Sequence, residues 1–216
     1  MIRPTWACFD LDGCLVDSSR AIPAGVNAGL AEVGLPARTA SSLQWCIGPP
    51  LSDSFTQLLA EHDVDDADRV AAAIHGYRAA YPAASVELTT VVPGIEAALA
   101  ALPQRRVIVT SKPADYARPL AEAMGLMGHF EELFGPGTDL AVESKTATLS
   151  RALAALGVAP SAATMIGDRR HDVEAGRAVG TGTIGVTWGA GDHAELAAAQ
   201  ADHVIDVPAD LPALLA

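Results

Sequence analysis

Short, nearly continuous apolar runs that stop on a polar residue set the first limit on this chain. One covers about residues 5–9 and stops at Asp10. Two more repeat the pattern: Val107-Ile108-Val109 stops at Thr110, and Thr164-Met165-Ile166 stops at Gly167-Asp168. Further runs lie at 183–186 and 203–205. Strands that are apolar on both faces belong to a parallel sheet covered on both sides by helices. The intervening segments predict those helices. Pro93-Gly94 opens one that runs to about Leu102, Lys112-Pro113 opens another, and Ser144 caps a third that ends near Gly157. The stretch 139–144 ahead of Ser144's helix reads as loop. The predicted fold class is α/β, with a Rossmann-like parallel-sheet core.

Residues 16–88 have a different character. Val26, Leu30 and Val33, and again Phe55, Leu58 and Leu59, follow helical spacing, and no convincing strand interrupts them. An all-helical insertion between the first and second strands predicts a cap domain over 16–88, with 1–15 and 89–216 forming the core. Gly13-Cys14 and Val92-Pro93-Gly94 fall near the hinges of such an insert.

Composition excludes several functions. No stretch approaches the roughly 18 uninterrupted apolar residues of a membrane helix, and Met1 leads straight to Trp6-Ala7-Cys8-Phe9 without a signal segment. A soluble, cytoplasmic protein is expected, as a monomer or weak homodimer. The net charge of −12 repels nucleic acid and anionic membranes. It also repels phosphorylated small molecules, unless the site supplies local positive charge or a bound cation. Cys8, Cys14 and Cys46 are odd in number and show no C-x-x-C spacing, so they read as reduced thiols and not as a zinc site. Of 14 basic residues only Lys112 and Lys145 are lysine. Lysine is a compact point charge that fits where a guanidinium fork does not, so each is a candidate for a specific task.

Ligands of open α/β sheets bind at the carboxyl ends of the strands. Asp10 and Asp12, Thr110 and Ser111, and Asp168 and Asp172 therefore converge, and Lys145 joins them from the start of its helix. Crowded carboxylates ionise together only when a hard divalent cation relieves their repulsion. The same cation neutralises a phosphoryl group, whose remaining oxygens suit a hydroxyl and an ammonium.

These residues resemble the four motifs of the haloacid dehalogenase superfamily. Asp10-Leu11-Asp12-Gly13, followed by Cys14-Leu15-Val16-Asp17-Ser18, is similar to the first motif. Val107-Ile108-Val109-Thr110 is similar to the second, Lys145 to the third, and Ile166-Gly167-Asp168-Arg169-Arg170-His171-Asp172 to the fourth. Within the superfamily, Ile47-Gly48-Pro49-Pro50-Leu51, Thr110-Ser111-Lys112-Pro113 and Gly185-Val186-Thr187-Trp188-Gly189 resemble the phosphoglycolate phosphatase and 5′-nucleotidase-like branch.

The resemblance implies a phosphatase acting on a small phosphorylated metabolite, with nucleoside monophosphates favoured over phosphoglycolate and sugar phosphates. It implies that Asp10 is the nucleophile and that Asp12 is the acid and then the base. Mg2+ would be held by Asp10, the Asp12 carbonyl and Asp168, and Asp172 would orient a metal-bound water or Lys145. Thr110 and Lys145 would bind the phosphoryl oxygens. Substrate contact is expected from Ser111 and Gly13 and, in a cap loop at 47–51, from Gly48 and Pro49. Cys14 replaces the family's usual threonine and should fix its loop more weakly.

Competing readings stay open at several positions. Thr110 could cap a helix, Lys145 could be a solvated surface lysine, and Asp172 could cap a helix at 173–179. Lys112 could reach substrate or be a surface charge at a helix start. Trp188 could border the site or pack in the core. The string Gly180-Thr181-Gly182-Thr183-Ile184-Gly185 follows a helix and enters a strand, the reverse of dinucleotide-binding order, and reads as a helix stop. No H-x-x-x-H pair suggests zinc, and His171 reads as a surface residue at a helix start. A phospho-ligand sensor, a phosphomutase and a dehalogenase share the fold, and the acids Asp12, Asp168 and Asp172 argue against the dehalogenase.

Overall fold

A computed structural model of the chain describes residues 4–137 and 143–215. Met1 and most of the loop expected over 139–144 lie outside those residues. The first elements are β1 (Trp6–Phe9), β2 (Val16–Asp17), α1 (Ala21–Glu32), α2 (Leu51–Ala60), α3 (Ala67–Leu88) and β3 (Thr90–Val91). Then come α4 (Ile95–Ala101), β4 (Arg105–Val109), α5 (Ala114–Ala123), β5 (Glu132–Phe134) and α6 (Lys145–Leu156). The chain continues through β6 (Ala163–Gly167), α7 (Arg170–Val179), β7 (Gly182–Val186), α8 (His193–Ala198), β8 (His203–Ile205) and α9 (Leu211–Leu215). Two compact units result: Met1–Asp17 with Val91–Ala216, and Ser18–Thr90. None of the described helices is long and apolar enough to cross a membrane.

The first unit is built on a six-stranded parallel sheet in the order β5-β4-β1-β6-β7-β8. Alternation along β1 shows why that strand is apolar throughout. Ala7 and Phe9 point into one cluster, with Ile108, Ile166, Ile95 and Leu99 of α4, and Leu120 of α5. Trp6 and Cys8 point into the other, with Val107, Val109, Met165, and Leu149 and Leu153 of α6. Both faces are dry, so every residue of the strand must be apolar.

Five of the six sheet strands coincide with the apolar runs. The sixth, β5, is a three-residue edge strand that begins on Glu132 and carries little periodic signal. The helix signals also hold. Ser144 Oγ accepts from the Ala147 N–H at 3.2 Å, and Gly157 closes α6 in the left-handed conformation. Gly180 ends α7 in the same way before β7 begins, as the reversed glycine string implied.

The second unit is helical. Helices α1 and α3 approach closely because glycines face the contact. A Cβ at Gly25 would lie 2.7 Å from the Tyr77 ring, and one at Gly76 would lie 2.7 Å from Glu32 Cβ. Tyr77 stacks on Tyr81 with ring centroids 4.8 Å apart, and Phe55 of α2 meets Tyr77 edge-on at 6.4 Å. Asn27 ties the following loop to α1, its amide bonding both the N–H and the C=O of Arg38.

Gly29 tests this packing. Alanine there should gain up to about 1 kcal/mol of helix propensity. Its Cβ, however, would lie 2.4 Å from Phe55 Cζ and 2.5 Å from the Ala73 carbonyl oxygen. The backbone oxygen cannot step aside cheaply, and overpacking costs about 1–3 kcal/mol. Gly29→Ala should therefore lower the stability seen by denaturant unfolding. A variant as stable as the parent would show that α1 and α3 have room to separate.

Candidate active site

The parallel register delivers the acidic residues to one place. Phe9 lies beside Ile166 in the pairing of β1 with β6, and the Asp10 N–H donates to the Ile166 carbonyl at 2.8 Å. Chain order reverses about β1, with β4 and β5 on one side and β6 to β8 on the other. The carboxyl ends of β1 and β6 thus flank a topological switch point, where open α/β sheets bind ligands.

Asp10, Asp168 and Asp172 are all buried, and each offers a carboxylate oxygen within 4.8 Å of the others. The buried Lys145 ammonium donates to Asp10 Oδ1 at 2.6 Å and pairs with Asp172 Oδ1 at 2.8 Å. It reaches them from the first turn of α6, which removes the surface-lysine alternative. Asp172 is the third residue of α7, so it does not stand at the N-cap. Its Oδ2 accepts the Arg169 N–H at 3.1 Å, so it secures the helix start as well as the lysine.

Burial pushes the Asp10 carboxyl up to about 6. Lys145 opposes that rise, and Asp172 and Asp12 add to it. Burial, then Asp10 and Asp172, hold the Asp168 carboxyl well above the usual carboxylate range. For Lys145, burial favours the neutral amine, but the Asp10 and Asp172 carboxylates outweigh it and raise its pKa. Fully ionised, three carboxylates against one ammonium would carry an excess of two negative charges; the raised Asp10 and Asp168 carboxyls register that cost, and one divalent cation would cancel it.

Asp168 fits that cation in detail. Its Oδ2 accepts the Ala190 N–H at 2.7 Å, while its fully buried Oδ1 has no hydrogen-bond partner among the described residues. An orphaned buried carboxylate oxygen is costly, and a hard cation is the natural partner for it. Gly13, at φ +84°, makes room for the group, since a Cβ there would stand 2.3 Å from Asp168 Oδ2.

The Asp12 side chain is held apart from this cluster. Lys112 Nζ lies 2.6 and 2.5 Å from its two oxygens, and both side chains are buried. Lys112 is therefore not a surface charge, although it lies just ahead of α5. Thr110 is buried and accepts the Lys112 N–H at 3.1 Å. It does not cap α5, which begins four residues later. Ser111 is half-buried between Thr110 and Lys112.

Cys14 supplies the weak tie its thiol allows, Sγ donating to the Ile166 carbonyl at 3.7 Å. Burial and then the neighbouring carboxylates push that thiol well up, so it stays protonated. Trp188 combines both of its readings. It packs against the core, and its Nε1–H donates to the Cys14 carbonyl at 2.9 Å. His171 is half-buried in the first turn of α7. Gly48 and Pro49 belong to the helical unit, just ahead of α2, and Gly48 has φ +101°.

Two contacts escaped sequence reasoning: the Lys112 pair with Asp12, and the loop after β7 that meets Asp168 through Ala190. Partners 100 and 22 residues apart leave no local signal. A lysine within two residues of Thr110, and a Gly-x-Gly after a strand end, were the nearest hints.

The match to known proteins agrees with this geometry. The haloacid dehalogenase-like hydrolase family model matches residues 7–186, and the chain belongs to that family. It is 34% identical over 191 residues to the tyrosine-protein kinase PtkA of Mycobacterium tuberculosis, covering 87% of this chain and 64% of that protein. The chain thus spans less than two thirds of PtkA. It is 34% identical to a 5′-nucleotidase of Pseudomonas aeruginosa, covering 95% of this chain and 91% of the relative. A crystal structure of a predicted phosphatase from Clostridium acetobutylicum superposes with a TM-score of 0.92 at 30% identity, over 98% of both chains.

The charge imbalance predicts opposite effects of two substitutions in EDTA. Lys145→Met strands Asp10 and Asp172 and should cost about 3–5 kcal/mol, the usual loss when a buried ion pair is broken. Asp168→Asn keeps an acceptor for Ala190 and removes one uncompensated charge, so it should stabilise. Denaturant unfolding measures both; shifts of the same sign would contradict the electrostatic account.

Proposed function

We propose that the chain is a Mg2+-dependent phosphomonoester hydrolase acting on a small phosphorylated metabolite through an aspartyl-phosphate intermediate. The observation that carries this is the buried triad Asp10, Asp168 and Asp172, two charges in excess, with one orphaned oxygen and one ammonium. Family membership supports the same chemistry.

Asp10, the Asp12 carbonyl and Asp168 would hold Mg2+, with Asp172 orienting Lys145 or a water. When bound, the cation neutralises phosphoryl charge and lets the carboxylates ionise together. In the first step an Asp10 carboxylate oxygen attacks phosphorus, and the bond to the ester oxygen breaks. Asp12 gives its proton to the departing oxygen. In the second step the Asp12 carboxylate takes a proton from water, whose oxygen attacks phosphorus. Phosphate leaves and the Asp10 carboxylate is restored. Thr110 and Lys145 bind the phosphoryl oxygens, and Ser111 and Gly13 line substrate. Lys112 holds the Asp12 carboxylate in place through both oxygens, and gives up one of them when Asp12 carries its proton. A nucleoside monophosphate is the favoured substrate, supported by the resemblance to 5′-nucleotidase-like proteins.

Hydrolysis of p-nitrophenyl phosphate with Mg2+ tests the assignment. Chelation by EDTA and Asp10→Asn should each abolish turnover, and Asp12→Asn should slow it by about 10²–10⁴, the usual range for a lost acid/base group. Full activity in EDTA, or in the Asp10 variant, would sink the mechanism.

The choice of leaving group is assigned to Gly48 and Pro49. Left-handed backbone at Gly48 followed by two prolines makes a stiff turn that can offer backbone atoms to a ligand. Gly48→Leu should depress turnover of nucleoside monophosphates far more than turnover of acetyl phosphate. Uniform loss, with a lowered melting temperature, would mean that Gly48 serves only the fold.

A further inference from the structure

The segment that follows β7, residues 188–191, lies outside all four motifs, yet it touches two of the turns that carry the acidic cluster. Trp188 Nε1–H donates to the Cys14 carbonyl at 2.9 Å, which fixes the turn after Asp10 and Asp12. Two residues on, the Ala190 N–H takes one oxygen of Asp168 at 2.7 Å. The glycines on either side let the backbone come this close. A Cβ at Gly189 would stand 2.3 Å from Asp168 Oδ2 and 2.4 Å from the Gly13 carbonyl oxygen. One at Gly191 would stand 1.9 Å from the Asp168 carbonyl oxygen. Asp168 itself is fully buried, and Oδ1, the oxygen that Ala190 leaves over, has no hydrogen-bond partner among the described residues.

From these contacts we infer that residues 188–191 are a positioning element for the divalent cation, and that its affinity is set by them as well as by the carboxylates. An aspartate free to rotate about its last bond would spread its two oxygens over many directions. Here the Ala190 N–H consumes Oδ2 and the glycine walls block rotation, so Oδ1 is the oxygen presented to the cation. The indole bond ties the Asp10–Asp12 turn to the same segment, so ligands from β1 and β6 keep one spacing. Preorganisation of this kind lowers the ordering cost of binding, and partners of ligating groups usually control metal affinity by about 10–100-fold. The inference rests on the metal role given to Asp10 and Asp168 above.

The test is Mg2+ binding by isothermal titration calorimetry, without substrate, on the parent, Trp188→Phe and Gly189→Ala. Trp188→Phe keeps an aromatic ring against the core and deletes the N–H donor together with part of the indole's volume. It should weaken Mg2+ binding by about tenfold, while its far-UV circular dichroism stays at the parent value and its melting temperature in EDTA falls by only the few degrees that one lost hydrogen bond accounts for. Gly189→Ala pushes directly on the carboxylate and should lose about a hundredfold. If Gly189→Ala fails to fold, Trp188→Phe carries the test alone. Parent-like Mg2+ affinity in folded Trp188→Phe overturns the inference and leaves the metal site standing. A parent chain that binds no Mg2+ overturns both, so the two failures are distinguishable.

Discussion

The structure of the sheet-bearing unit turns on three carboxyl groups buried together at the carboxyl ends of β1 and β6, which cannot all ionise there without a further positive charge. Asp10, Asp168 and Asp172 lie within reach of a single ion, and Lys145 answers for only one of their three charges. Burying a charge without a partner costs several kcal/mol, so the fold must hold this site together against its own repulsion. Apolar clusters on both faces of the sheet supply that holding force, and the strand register fixes the carboxylates beside one another at the strand ends. Stability given up at one point becomes affinity for what binds there.

Steric constraints do as much as charge to shape the site. Apart from the two lysines, backbone presses closely on the carboxylates. Gly13 and Gly189 face Asp168, and a Cβ at Gly167 would stand 2.2 Å from Asp172 Cγ. With main chain packed this closely, a short acid keeps a fixed direction, whereas a longer glutamate would need space that the glycines do not leave. The two lysines divide the work by the same logic. Lys145 enters from a helix start and is shared between two acids, while Lys112 is committed to both oxygens of Asp12. In a chain otherwise using arginine, a compact ammonium is the cation that fits each space.

The core was legible because its constraints are local. A strand covered on both faces has to be apolar at every residue, so the runs ending at Asp10, Thr110 and Asp168 could be read directly. Ser144 and Gly157 marked α6 because capping depends on the identity of one residue and its immediate neighbours. The strand β5 was not legible. At three residues, starting on Glu132, it exists because the edge of β4 offers unpaired backbone groups, not because of its own composition. In the helical unit, spacing showed α1 and α2 but not α3, and the small residues that let α1 and α3 close together were not read as contacts.

By itself the sequence determined the α/β core, the helical character of the insertion, and the acids that, with Lys145, gather at the strand ends. Each follows from short-range chemistry: strand periodicity, helix caps and the rule that ligands collect at carboxyl ends. Tertiary structure alone decided which charges pair. The sequence offered Lys112 as either a surface charge or a substrate contact; the fold buries it against Asp12, 100 residues away. It also decided that Trp188 and Ala190 reach Cys14 and Asp168, across 174 and 22 residues. Hydrogen bonds and ion pairs depend on distances of a few ångströms, and nothing in chain order encodes those until the strands have taken their register.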